Sequence, residues 1–231
     1  MKMKPTIFGV ALALSLSGTA VADADKPASK SEAASVWSEG GLQKVSVKGL
    51  DVVYARPGAS LASYTKFLLG PISVDFRRNW ERQAAPGSLT RISAKDAQKI
   101  RDRLAKQIHE ETVKELTAGG YQLASEPGDD VLQVNLSIVD LWVSAPDIAA
   151  AGNVKTYALS AGEMTLVAEL RDSATGDVVA RAFDRALARE NFRPMRITSV
   201  ENAAEAAAAA RGWAKALRQE LDSAKQIGGG S

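Results

Sequence analysis

The chain has 231 residues, 45% of them apolar and 24% charged, with a formal net charge of +2, one histidine and no cysteine. That length and apolar content suffice to bury one core without cross-links. The missing sulfur excludes disulfides, cysteine nucleophiles and a thioether-linked lipid. Residues 1–22 open with Lys2 and Lys4, run apolar from Ile7 to Leu16 and end on Ala20-Val21-Ala22, which is small one and three positions before a scissile bond. This is the form of a secretory signal peptide. Its apolar run would rise about 15 Å as a helix, against a hydrocarbon core of about 30 Å, so it is too short to stay as an anchor. Cleavage is expected before Asp23, which removes both lysines. Leu16-Ser17-Gly18-Thr19 has the shape of a lipoprotein cleavage box with threonine in place of the lipid-bearing cysteine. The expected product is a periplasmic protein with no lipid anchor and no transmembrane segment. Nucleic acid is not an expected partner of such a chain.

Residues 23–48 are rich in Ala, Ser, Lys, Glu and Gly, show no sustained period, and read as a flexible leader to a single domain over 49–226. Val52-Val53-Tyr54-Ala55 is a short strand stopped by Pro57-Gly58, and a second β-rich stretch from Lys66 to Phe76 is interrupted by Gly70-Pro71, as at a bend or an edge strand. Ser93 stands three residues before Asp96, which resembles a capping box. Ile100, Leu104, Ile108 and Leu116 then recur at helical spacing as far as Gly119-Gly120.

From Val131 the period becomes two. Leu132, Val134, Leu136 and Ile138 alternate with Gln133, Asn135 and Ser137, and the phase changes across Val139-Asp140-Leu141-Trp142, as at a bulge. Met164, Leu166, Ala168 and Leu170 share a strand face. A turn follows at 172–177, with Gly176 free to take positive φ, and Val178, Ala180 and Ala182 are expected on one face of the return strand. The Thr198-Ser199-Val200-Glu201 box starts a second long helix whose stripe runs Ala203, Ala207, Ala210, Ala214, Leu217, Leu221 and Ala224. Small residues at its start predict close approach to whatever it covers. Docking on the sheet is preferred to pairing with a second copy, so a monomer is expected. Residues 227–231 read as a flexible tail. The order predicts an α+β fold, a two-layer sandwich in which two helices cover one face of a mainly antiparallel sheet.

Chemistry is sparse. His109 follows Ile108 on the first helix, about 100° from the apolar stripe, so it faces solvent or the edge of the stripe. With no cysteine and one histidine, neither metal nor cofactor is expected. Nucleophile-elbow, phosphate-loop and dinucleotide motifs are absent. Glu163 and Glu169 are the acids a carboxylate-dependent hydrolase of an envelope polymer would use. Against that stands an ordinary role, since Glu169 falls on the strand face opposite the apolar one. Arg77, Arg78, Trp80 and Arg82 interleave an aromatic ring with cations, a composition favoured at binding surfaces, and Phe192 and Arg193 repeat the mixture. The competing reading tucks Trp80 inward at a strand end.

The stretches VYARPGASLASYTKFLLGPISVDF, GEMTLVAELRDSATGDVVARAFDR and GWAKALRQELD, spread over residues 51–222, resemble the bacterial envelope family numbered thirty-three thirteen among the domains of unknown function. The resemblance implies an envelope protein, in a family whose members are commonly predicted lipoproteins. Thr19 departs from that pattern. The element order is similar, more distantly, to small envelope domains that serve as accessory parts of outer-membrane assembly or secretion machines. Together these readings favour a non-enzymatic accessory or binding protein whose partner is an envelope protein or the envelope surface, with the hydrolase as the alternative.

Overall fold

The computed structural model describes residues 40–83, 92–143, 156–158, 162–187, 195–197 and 199–228. In chain order these form β1 (Gln43–Val45), β2 (Val52–Ala55), β3 (Lys66–Leu69), β4 (Ser73–Phe76), the short helix α1 (Trp80–Gln83), α2 (Ala94–Ala118), β5 (Gln122–Leu123) and β6 (Val131–Val143). Then follow β7 (Thr156–Ala158), β8 (Gly162–Asp172), β9 (Val178–Leu187), β10 (Met195–Ile197) and α3 (Ser199–Gly228). Eight strands make one mostly antiparallel sheet in the order β1-β2-β9-β8-β6-β3-β5, with β4 also on β6, while β7 and β10 pair separately. The class is α+β.

β6 is the spine of the sheet. Its alternation buries Leu132, Val134, Leu136 and Ile138 on one face. At Asp140 (φ +54) the register with β8 shifts, and Leu141 turns inward in place of a residue of the earlier phase. β8 runs antiparallel along one side of β6. Along the other side lie β3 and then β4, both parallel to β6, so the sheet is mixed. The Gly70-Pro71 break is therefore a bend between two pieces of one interrupted neighbour. Gly70 donates its N–H to the Val134 carbonyl at 3.0 Å, and a Cβ there would sit 2.7 Å from Asn135 Oδ1, so a larger residue would have to displace the Asn135 side chain.

The β8–β9 turn is built by Asp172, whose carboxylate accepts N–H bonds from Ala174 (3.0 Å) and Thr175 (2.8 Å), with Gly176 at φ +77. Leu170 pairs with Ala180, but Arg171 pairs with Val178, a one-residue bulge. Val178 consequently shares a face with Arg171 and not, as alternation alone implied, with Ala180 and Ala182.

α2 starts where expected: Ser93 Oγ accepts the Asp96 N–H at 3.1 Å, and the helix stops at Gly119 and Gly120 (φ +86). α3 runs parallel to it. Gln107 donates to the Ala203 carbonyl (2.8 Å), Arg211 pairs with Glu111 (3.0 Å) and Arg218 with Glu115 (2.8 Å), contacts that advance together along both helices. Leu104, Ile108 and Leu116 of α2 and Ala210, Trp213 and Leu221 of α3 share one core with the inward face of β6 and β8. Two boundaries differ from expectation. Leu42 is buried and β1 pairs with β2, both inside the stretch read as a leader, and α3 reaches Gly228, inside the stretch read as a tail.

Candidate functional site

Two of the residues singled out from composition, Trp80 and Arg77, fasten the sheet. After β4, Asn79 takes a left-handed conformation (φ +61) and folds Trp80 back under Phe76, with ring centroids 3.9 Å apart and planes 7° from parallel. The indole N–H donates to the Val143 carbonyl at 3.0 Å, and Trp80 is 1% exposed. It sits in a small second core with Ile92 and Ala97, against Phe76, Ile100, Trp142 and Val143. Trp80 is thus no surface anchor; the bulged end of β6 gives its ring a covered place.

Arg77 is engaged as well, 2.7 Å from Glu163 and with its guanidinium 5.8 Å from the Trp142 ring. Arg78 is exposed and follows it in the turn. The Arg82 side chain, Phe192 and Arg193 lie outside the described residues. His109 is exposed on α2.

Glu163 and Glu169 are each gripped by two arginines. Glu163 holds Arg77 and Arg185 (2.5 Å), while Glu169 holds Arg171 (2.6 Å) and Arg181 (2.9 Å). Burial raises both acids, but the arginine hydrogen bonds outweigh it and hold both below the ordinary glutamate range. Six residues apart on one strand, they are about 20 Å from each other at ~3.3 Å per residue, beyond the separation of a paired-acid site. Among the described residues no three His, Asp or Glu side chains converge as metal ligands.

A different feature is concave. Between the sheet and the helices lies an apolar cavity of 140 Å³. Its floor is Leu136, Leu166, Ala168, Ala180 and Ala182 on β6, β8 and β9; its roof is Ile108, Ala210, Trp213, Ala214 and Leu217 on the two helices. Val45, Val47, Leu50 and Val53 close the side formed by β1 and β2. The cavity follows from the sequence locally. Ala168, Ala180 and Ala182 on the sheet face Ala210 and Ala214 on α3, and between these short side chains the walls do not meet. The small residues of α3 were expected to bring it close to the sheet; here space remains instead.

Trp213 links roof to floor, donating its indole N–H to Asp184 on β9 at 2.6 Å. Asp184 also accepts the Asp51 N–H at 3.0 Å, and Asp51 accepts the Arg185 N–H at 3.1 Å, which ties the start of β2 to β9. Burial pushes Asp184 above the ordinary aspartate range, against the two N–H donors, and the nearby Asp51 charge adds to the rise. Thr112, Arg181 and Glu220 are the other polar residues in the lining, and Arg181 is held by Glu169. Val45, 40% exposed, and the exposed Glu220 mark the mouth, between β1 and the C-terminal half of α3.

A family model described as "Protein of unknown function (DUF3313)" matches residues 32–217. No curated protein matches the chain. Solved structures resemble it at low identity. A Xanthomonas campestris protein of family DUF330 is 15% identical, covering 76% of this chain and 94% of its own, with a TM-score of 0.41. A Helicobacter pylori homologue of the neuraminyllactose-binding hemagglutinin is 10% identical over 75% and 93%, with a TM-score of 0.40. The PelC dodecamer of Paraburkholderia phytofirmans is 13% identical over 69% and 94%, with a TM-score of 0.33.

Proposed function

The chain belongs to the DUF3313 family, and we propose that it is a non-enzymatic binding protein of the periplasm, released by cleavage of residues 1–22, that takes an apolar group into the cavity between sheet and helices. The cavity carries this reading. Its 140 Å³ is lined almost wholly by apolar side chains, and an apolar group that enters it leaves water at a gain of ~25 cal/mol per Å² of surface buried. The competing hydrolase is weakened by the separation of Glu163 from Glu169 and by the arginines that keep both ionised. Among the described residues no helix is long and apolar enough to cross a membrane.

Two measurements test the proposal. In the envelope fraction the mature chain is expected to begin at Asp23 by mass spectrometry, and an uncleaved or acylated chain refutes the export assignment. Toluene-saturated buffer is expected to raise the thermal midpoint of the purified protein, because a ligand that binds only the folded state stabilises it. A midpoint that neither toluene nor a longer apolar ligand such as dodecanoate raises refutes the cavity as a binding site.

A further inference from the structure

Building on that reading of the cavity, we infer that its ligand is a single unbranched acyl chain, admitted at the mouth between β1 and α3. The inference rests on shape. The lining crosses the sheet from Val45 on β1 through Val53 on β2, Ala182 on β9 and Ala168 on β8 to Val134 on β6. Those four inter-strand steps span about 19 Å at ~4.8 Å each. A compact engineered cavity of ~150 Å³ accommodates benzene. Here 140 Å³ is spread beneath five strands, so the space is an elongated slot. A caged ring is about as broad as it is long and fits an elongated space poorly, whereas a polymethylene chain fills it along its length.

The chemistry agrees with the shape. From Val53 to Val134 the walls are aliphatic, broken by the Trp213 ring, Thr112 and Arg181, and the Trp213 N–H is already bound to Asp184 and the Arg181 guanidinium to Glu169. Apart from the Thr112 hydroxyl these polar groups are already engaged, so a buried head group would go largely unpaired, which is costly. A charged side chain free to meet water stands at the open end, at Glu220. A molecule with a long apolar body and one polar end matches this distribution. A free fatty acid and the chain of a lipid both qualify, since the slot reads only the chain.

The test uses the full mature protein and four probes below their micelle concentrations: 12-bromododecanoate, twelve-carbon lysophosphatidylcholine, adamantane carboxylate and toluene. The brominated chain is expected to quench the Trp213 component of emission, and the Trp213→Phe variant to lose that quenching while the remaining tryptophans keep their emission. Ala182→Ile and Ala214→Leu each fill the slot from an opposite wall, so each is expected to weaken dodecanoate binding at least tenfold while leaving the unliganded protein folded and no less heat-stable. Two plugs guard against one that fails to fold. Binding of bromododecanoate alone, or of the lysolipid alone, supports the inference and identifies the source of the chain. Binding of adamantane carboxylate with neither chain overturns it but leaves the cavity a binding site. Failure of all four, toluene included, overturns both readings.

Discussion

Trp80→Ala is expected to lower the stability of the protein by about 3–5 kcal/mol, the range for removing a large aromatic side chain from a core. The ring is 1% exposed, stacks on Phe76 at 3.9 Å and spends its N–H on the Val143 carbonyl, so truncation opens a void and orphans a buried acceptor together. For a domain of this size each kcal/mol moves the thermal midpoint by about 2–4 °C, so the shift is near 10 °C. Trp80→Phe keeps the stacking and forfeits the hydrogen bond, at a cost of about 1 kcal/mol for that bond. Chemical denaturation measures both. No residue of the second core lines the slot, so acyl-chain binding should survive in Trp80→Ala under conditions where it stays folded. A stability loss below about 1 kcal/mol would show that the ring is not structural.

Trp213→Ala is expected to cost as much, about 3–5 kcal/mol, and to change binding as well, because this ring is both roof and strut. Trp213→Phe isolates the strut. It leaves Asp184 buried with one donor fewer, and a carboxylate whose pKa already stands above the ordinary range rises further. The sign follows from linkage. A group with a raised folded-state pKa burdens the fold at pH above that pKa, where it must ionise, and the burden is relieved as the pH falls through it. The deficit of Trp213→Phe against wild type is therefore largest at neutral pH and shrinks on acidification. Denaturation midpoints of both proteins between pH 7 and pH 4 measure it; a deficit that is flat across that window would separate Trp213 from Asp184 energetically.

What could be read in advance depended on the distance along the chain over which a signal acts. The Ser93 cap, the Gly119-Gly120 stop, the 172–177 turn and the phase change at 139–142 are all local, and each appears at its expected place. Pairing direction is not local. The alternation in β6 is the same for parallel and antiparallel neighbours, so the parallel placement of β3 and β4 had no signature. The bulge that turns Val178 away involves one residue, and strict alternation passes over it. Composition alone leaves Trp80 open between a surface anchor and an inward ring, because its cover comes from Trp142 and Val143, far along the chain, and from the unusual φ of Asn79. The alanines of β8, β9 and α3 were each visible, as were two of the acids in their salt bridges. That the alanines face one another follows only from the docking of α3 on the sheet.

The union of β2 with β9 has a temporal meaning. Asp51 and Asp184, which clasp across that seam, are 133 positions apart in sequence. A ribosome or an export channel delivers β1 and β2 first, yet they find their partner only when β9 has arrived. Closing so long a loop pays its entropy before any contact rewards it, whereas the β8–β9 hairpin closes at once. The earliest strands to emerge are therefore the last to settle, and β1, three exposed residues at the rim of the sheet, is paired along one edge, with β2. Local opening in folded proteins begins in such segments. The wall made by Val45 and Val47 is then the cheapest part of the slot to lift, and lifting it widens the mouth beside β1.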